Sequence, residues 1–513
     1  MKRKKLWIGI AAASLYLLLL LLLILAESAS REGSITTLPA AVWYSLTTLT
    51  TVGYGDLYPV TAAGRFIGVL FQLMSVGLLA LLIGAFMTLL RGRLLPLLRL
   101  RVSRKRDWFA FSDASPAAVT LAKALHREDP DRVILFCTEK PSPLPFALVS
   151  PVSLKELCEL KGDGSGLSVF CMGRRSSENE TIARALEAEA CSVYCMTEYE
   201  PDRLPARQHR FDPYNCCARL YWRRFPLRES RQTVLLIGQG KYAEALLEQA
   251  LQNNVLDPAQ RIVYRVFGNY ENFRRDHPFL SQLCAVNGEE PGRDSLYFSD
   301  APWNGDPALL RAADRIIFCE DTEEATLARI TELRRFFPVA CPVHARLSTE
   351  LDGVACFGSS EEIFSPELVL QARLDRTAIR LNEIYRNSVG GDAPDWNGLN
   401  SFTRRSNIAS AEHLSTKIRI LLQEDAEDPP PAELCARACA AFRAADGEAR
   451  DSFRRIEHAR WMRFHLLNNW QYAPTRDNAR RLHPMLVPFD QLSENERRKD
   501  DFGWELLGAV SRD

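Results

Sequence analysis

Between two long apolar runs near the start of the chain lies "TTLTTVGYGDLYP", residues 47–59. Its available chemistry is that of backbone oxygen. A loop that strips the water from a small cation must aim successive carbonyl oxygens at one axis. That needs alternating backbone conformations, which residues with a Cβ resist and glycine accepts. Gly53 and Gly55 supply this freedom around Val52 and Tyr54, and Thr51 can add its hydroxyl oxygen as a further ligand. Tyr54 is expected to point away from the axis and wedge against Trp43 and Tyr44, with Asp56 closing the segment.

The elements around this loop must hold it at membrane depth. Leu6–Ala26 is 21 residues without a charge and Phe66–Leu90 is 25, where about 20 span a bilayer. Between them, "PAAVWYSLTTLT" (39–50) is helix-compatible but too short to cross. Pro39 suits a first helical turn, and the negative dipole end of such a helix favours a cation. Re-entrant backbone survives in a bilayer only inside protein or beside a water-filled cavity, which predicts several copies around an axis. Lys2, Arg3, Lys4 and Lys5 precede the first run; Arg91, Arg93, Arg99, Arg101, Arg104, Lys105 and Arg106 follow the second. Basic flanks stay cytoplasmic, so both termini are expected inside, with residues 27–65 outside. A cleaved signal peptide fits less well, because its apolar core is usually shorter and cleavage would export the cysteine-bearing remainder.

Composition excludes little else. Lys plus Arg and Asp plus Glu both number 64, so no net charge points to nucleic acid. Thirteen cysteines without CxxC or zinc-type spacing fit reduced cytosolic thiols. No metal site is expected beyond the permeating ion.

"AVWYSLTTLTTVGYGDLYPVTAAGR" resembles the pore of bacterial two-transmembrane potassium channels over roughly residues 6–95. The resemblance implies K+ as permeant ion, a homotetramer, and a multi-pass protein of a bacterial inner membrane in contact with lipid. The filter would be Thr51, Val52, Gly53, Tyr54, Gly55 and Asp56. There are departures. Some members place Glu where this chain has Thr47, so Asp56 lacks that partner. Many hinge the inner helix at a glycine where this chain has Ser75, leaving Gly77 or Gly84 to bend it. No Arg-rich voltage sensor is present.

After a basic linker (96–106), short apolar strands alternate with amphipathic helices, which predicts parallel sheets covered on both faces. Two such Rossmann-like units are expected, over 107–228 and 229–388. The second holds a GxGxxA turn, Gly238-Gln239-Gly240-Lys241-Tyr242-Ala243, which can seat a phosphate on a helix N-terminus. Gly238, Gly240 and Ala243 are therefore candidates for binding a nucleotide or NAD(H). The next strand, however, ends Phe267-Gly268-Asn269 without an acidic residue for a ribose. Tight packing of the turn would also explain the glycines. The first unit's turn, Ser112-Asp113-Ala114-Ser115-Pro116-Ala117, has no glycine. A pore followed by tandem Rossmann-like units resembles channels with RCK (regulator of potassium conductance) domains, in which these units form a gating ring.

Residues 389–513 are expected to be mostly helical, after a linker "VGGDAPD" (389–395) and with an acidic, proline-rich break "EDAEDPPPA" (424–432). Glu457, His458, Trp461, Trp470, Tyr472, Arg476, Asp477, His483, Pro484, Leu486, Val487 and "LSENERRKD" resemble the repeat domain of ryanodine receptors. Trp461, Trp470 and Tyr472, with Arg476, His483 and Lys499, are candidates to stack on and neutralise a nucleotide-like anion; packed tryptophans under a solvated charged surface are the alternative. Glu457, His458 and His465 are read as solvated helix residues rather than metal ligands. No nucleophile–base pair is recognisable, so no catalytic residue is assigned. The whole predicts an all-α pore, two α/β units and a helical module, acting as a ligand-gated potassium channel. A membrane-anchored nucleotide-binding regulator without conductance is the alternative.

Overall fold

The two apolar runs fold as helices Lys2–Ser28 and Ala62–Leu89, of 27 and 28 residues. At 1.5 Å per residue each reaches about 40 Å, beyond a hydrocarbon core of roughly 30 Å. The computed structural model describes residues 2–90, 95–103, 106–138, 141–162, 166–388, 393–426 and 430–510. Arg91, Arg93, Arg104, Lys105, the start of the 389–395 linker and the middle of 424–432 lie outside the described residues. So do the side chains of 2–13, 75, 78, 82, 85, 88 and 89. Contacts divide the chain into two units, Met1–Ser103 and Arg104–Asp513.

In the first unit, Ala62–Leu81 is apolar and long enough to cross a membrane, and Ser14–Ser28 is a shorter apolar stretch. A third helix, Leu38–Leu49, carries proline in its first turn. Leu19, Leu20 and Leu23 of the first helix meet Ala41 and Tyr44 of this short helix and Ile67 and Phe71 of the last long one. Leu21, Leu25, Leu73 and Leu81 remain exposed on other faces, the pattern of helices that are apolar all round.

The second unit holds two parallel sheets. The first contains β1 (Trp108–Phe111), β2 (Val133–Phe136), β3 (Leu148–Val149), β4 (Leu167–Cys171), β5 (Ser192–Met196) and β6 (Gln208–Phe211). Their order is β3-β2-β1-β4-β5-β6. The second contains β7 (Arg231–Gly238), β8 (Arg261–Phe267), β9 (Ala285–Val286), β10 (Ser295–Ser299), β11 (Arg315–Cys319), β12 (Val343–Arg346) and β13 (Ala355–Phe357). Here the order is β13-β12-β11-β7-β8-β10-β9. Each order reverses beside its first strand, as in doubly wound dinucleotide folds. Unbroken apolar strands follow from burial on both faces; β1 is buried at all four positions. Helix Pro213–Arg224, capped by Asp212, joins the sheets, and its Trp222 indole donates to Leu246 O at 2.9 Å.

The helical module contains Ser401–Glu412, Leu414–Leu422, Ala432–Ala444, Gly447–Leu467, Glu494–Lys499 and Asp501–Val510. Its core gathers Leu414, Ile418, Phe442, Ile456, Trp504 and Leu507, and also Ala378 and Leu381 of helix Arg376–Ser388. That last helix follows the second sheet in sequence but packs with the helical module.

Candidate functional site

The filter segment departs from ordinary backbone where the sequence analysis requires it. Positive φ recurs at every second residue: 59° at Thr51, 55° at Gly53 and 73° at Gly55. In an extended strand successive carbonyls point to opposite sides; alternating handedness turns them to the same side. Glycine meets this at no steric cost, whereas Thr51 accepts a penalty of about 1–2 kcal/mol. The segment is anchored where it leaves the short helix, with Val52 N and Gly53 N both donating to Thr47 O at 2.9 and 3.1 Å.

Trp43 supports the loop from behind. Its ring stacks on Tyr54, with centroids 5.9 Å apart and planes within 5°. Its indole Nε1 donates to Asp56 Oδ2 at 2.8 Å. Asp56 thus has a partner where Thr47 offers none, because the Thr47 hydroxyl turns back to Trp43 O and Tyr44 O. Tyr44 does not join the wedge on Tyr54. It is buried edge-on to Phe71, 6.4 Å between centroids, because its helix position faces the inner helix.

Sequence reasoning passed over Glu27. At the end of the first long helix its carboxylate is fully buried and accepts from Val60 N and Thr61 N at 3.0 Å and from Thr61 Oγ1 at 2.6 Å. Thr61 caps the inner helix by accepting from Gly64 N. A Cβ on Gly64 would sit 2.1 Å from Glu27 Oε1, so the glycine makes room for the carboxylate. Gly77 and Gly84 lie within an unbroken helix, and a Cβ at either would meet nothing within 4 Å among the described residues. Packing inside one chain therefore does not require glycine at either position.

In the second sheet, a cavity of ≈ 550 Å³ opens at the carboxyl ends of β7, β8 and β10, where such folds place ligands. Gly238 lines it, whereas Gly240 and Ala243 do not. Gly240 is pressed against the loop after β11, where a Cβ would meet Asp321 Oδ1 at 1.8 Å. Ala243 is buried beneath the helix. Gly238 is constrained in the same way, with Cys319 O 1.9 Å from a built Cβ. Packing thus accounts for the glycines, and the cavity rather than the motif carries the case for a ligand. Arg274, Glu271, Asp300 and the Arg329–Glu320 pair (2.9 Å) supply its charge. Beside the first sheet, Ser115 accepts from Ala118 N and donates to Met172 O, and Pro116 has no N–H to offer. That helix start is already satisfied by its own chain.

The helical module holds a second cavity, ≈ 540 Å³, lined by Trp461, Arg476, His483 and Lys499 together with Glu457, Arg460 and Asp500. Trp470 is absent from it. Its ring is buried 5.0 Å from Phe402 and 5.3 Å from His465, so it serves as core. Tyr472 is exposed on the small ribbon Gln471–Tyr472 with Leu482–His483. Glu457, His458 and His465 are buried rather than solvated. Glu457 is satisfied by Lys417 at 2.7 Å and by Arg460. Burial alone would raise the Glu457 pKa, but Arg460 and Lys417 hold it well below the usual carboxylate range. For Lys417 burial outweighs the attraction and brings it down to about 8. Burial, reinforced by the Glu457 charge, pushes Asp500 up to about 8. His483 is lowered to about 4 by burial and by Arg476. Among the described residues no cluster of metal-binding side chains occurs.

Long-range ion pairs fasten this module to both sheets, and sequence offered no signal for them. Glu412, whose side chain is 3% exposed, binds Arg219 and Arg223 of the joining helix. Arg404 pairs with Glu200 at 2.9 Å, and Arg463 pairs with Asp294 at 2.5 Å.

Residues 10–92 match the family described as "Ion channel", and residues 444–505 match the "RyR domain". Among curated proteins, the A-type voltage-gated potassium channel KCND3 of Rattus norvegicus and that of Oryctolagus cuniculus are each 43% identical over 56 residues. That stretch is 11% of this chain, and the chain spans 8% of the length of these relatives. Among solved structures, GsuK bound to ADP is 14% identical, covering 71% of this chain and 98% of that one, at a TM-score of 0.32. The GsuK channel bound to NAD is 11% identical, covering 73% and 85%, at a TM-score of 0.33. The chain thus joins an ion-channel domain, two α/β Rossmann-like units and a helical region that contains an RyR domain.

Proposed function

We propose that four copies of this chain form a potassium-selective channel of a bacterial inner membrane, gated by ligands bound in its cytoplasmic unit, and that the chain performs no catalysis. The observation that carries this reading is the alternation of positive φ at Thr51, Gly53 and Gly55. Four such strands around one axis would replace the hydration shell of K+ with rings of carbonyl oxygens. The match of residues 10–92 to the ion-channel family supports it. Basic flanks favour a topology with both termini in the cytoplasm.

The two Rossmann-like units act as RCK-type gating units, with a nucleotide or NAD(H) held in the cavity beside Gly238. The helical module is a second sensor. A ligand shifts the open–closed equilibrium only by its different affinity for the two states. Four sites multiply modest preferences, and roughly 5.5 kcal/mol in total moves a two-state pore from almost always closed to almost always open. The test is ion flux from vesicles containing the purified full-length protein. K+ should leave far faster than Na+, and crosslinking should give tetramers; equal passage of Na+, or monomers alone, overturns the proposal.

A further inference from the structure

The cavity of the helical module joins an aromatic wall to a cation that no acid among the described residues neutralises. Trp461 forms the wall, edge-on to His483 at 4.9 Å between centroids, and Phe502 stands exposed at the rim. Three carboxylates line the cavity: Glu457 is engaged by Lys417 and Arg460, and Glu496 by Lys499 at 2.6 Å. Burial raises the third, Asp500, to about 8 and so keeps it mostly protonated, and neutral, at pH 7. Arg476 differs. Its Nε donates to the Asn478 amide oxygen at 2.8 Å, and among the described residues it has no ion-pair partner. It lines the same cavity as Trp461 and His483.

A planar guanidinium binds phosphate through paired hydrogen bonds, and a tryptophan face accepts a nucleobase by stacking. We infer that this cavity binds a nucleotide, its base against Trp461 and its phosphate on Arg476. The inference rests on the reading of the helical module as a sensor and names the class of molecule sensed. Its volume lies within the ordinary range of small-molecule sites.

Calorimetric titration of the full-length protein tests this with AMP, UMP, adenosine and inorganic phosphate as separate probes. Arg476→Ala should weaken AMP and UMP at least tenfold and leave adenosine unchanged. Arg476→Lys should recover part of the loss. Trp461→Ala should weaken the nucleotides and adenosine alike, and Trp461→Phe should do so less, which separates a lost stack from a misfolded chain. Nucleotide affinities untouched by these changes overturn the inference, as does phosphate binding as tightly as AMP. If Arg274→Ala alone abolishes AMP binding, the site belongs to the second sheet, and this inference falls while the channel reading stands. Binding that depends on Arg476 in a protein whose vesicles pass no K+ keeps this inference and removes the channel reading.

Discussion

Arg463 of the helical module and Asp294 of the second sheet form an ion pair of 2.5 Å, with the Asp294 side chain fully buried. Asp294 also accepts from Ile262 N, the second residue of β8, and from Gln260, both at 2.7 Å. It immediately precedes β10, whose far end, Phe298 and Ser299, lines the sheet cavity. Arg463 lies three residues from Arg460 on the helix that lines the other cavity. The same helix ends against the segment after helix Glu271–Asp276, where His277 Nδ1 donates to Leu467 O at 2.8 Å. One helix therefore lines the cavity of the helical module and is tied to the start of the strand whose far end lines the sheet cavity.

Arg463→Ala strips a buried carboxylate of its counterion and should cost about 3–5 kcal/mol. Asp294→Asn, which keeps the shape and removes the charge, should cost less. Thermal unfolding checks both, and in the double variant the losses should fall short of their sum.

Gly64→Ala should lower K+ flux at least tenfold, because a Cβ 2.1 Å from Glu27 Oε1 forces the outer and inner helices apart. Combining it with Glu27→Ala, which removes the colliding carboxylate, should restore part of the flux while leaving Val60 N and Thr61 N without an acceptor. Vesicle flux reads both.

Trp43→Phe keeps an aromatic face for Tyr54 but deletes the hydrogen bond to Asp56. Losing a bond to a charged acceptor costs about 1.5–3 kcal/mol. A less firmly braced loop should pass Na+ more readily, read as a fall in the K+/Na+ permeability ratio. Wild-type selectivity in this variant would show that the bond does not brace the filter.

The pH dependence of stability should carry the signature of Asp500. Its folded pKa, about 8, exceeds the value in an unfolded chain because of burial and the facing Glu457; His458 Nδ1 lies 3.6 Å away, and Arg460 and Lys417 stand in the same cluster. Stability from the protonated form is complete below pH 4 and is lost as pH rises through 8. Asp500→Asn should therefore match wild type near pH 4 and gain on it by roughly 1.4 kcal/mol per pH unit, reaching several kcal/mol above pH 8. Thermal melts across that range decide it.

What sequence disclosed depended on the range of the interactions. The filter is local: glycine spacing and the short helix before it are written within residues 38–55, and positive φ recurs at Thr51, Gly53 and Gly55. Strand–helix alternation likewise marked both sheets, since their strands are buried on both faces. The GxGxxA turn misled in detail, because Gly240 meets Asp321, a residue more than eighty positions away. Helix Gly447–Leu467 misled more. Its charges suggest a wetted surface, yet Glu457 is buried between Lys417 and Arg460. Nothing in the spacing of Asp294 or Glu412 identifies the arginines that meet them 169, 189 and 193 residues away.

Helix Arg376–Ser388 lends Ala378 and Leu381 to the core of the helical module, and Arg219 and Arg223 lean on Glu412. The module is consequently no detachable cartridge. Cutting the gene at the linker near residue 395 would bare a greasy seam and take the Glu412 carboxylate away from Arg219 and Arg223, so a truncated product would fail as a folded body before it could report on signalling. Point changes inside the intact chain are the cleaner instrument.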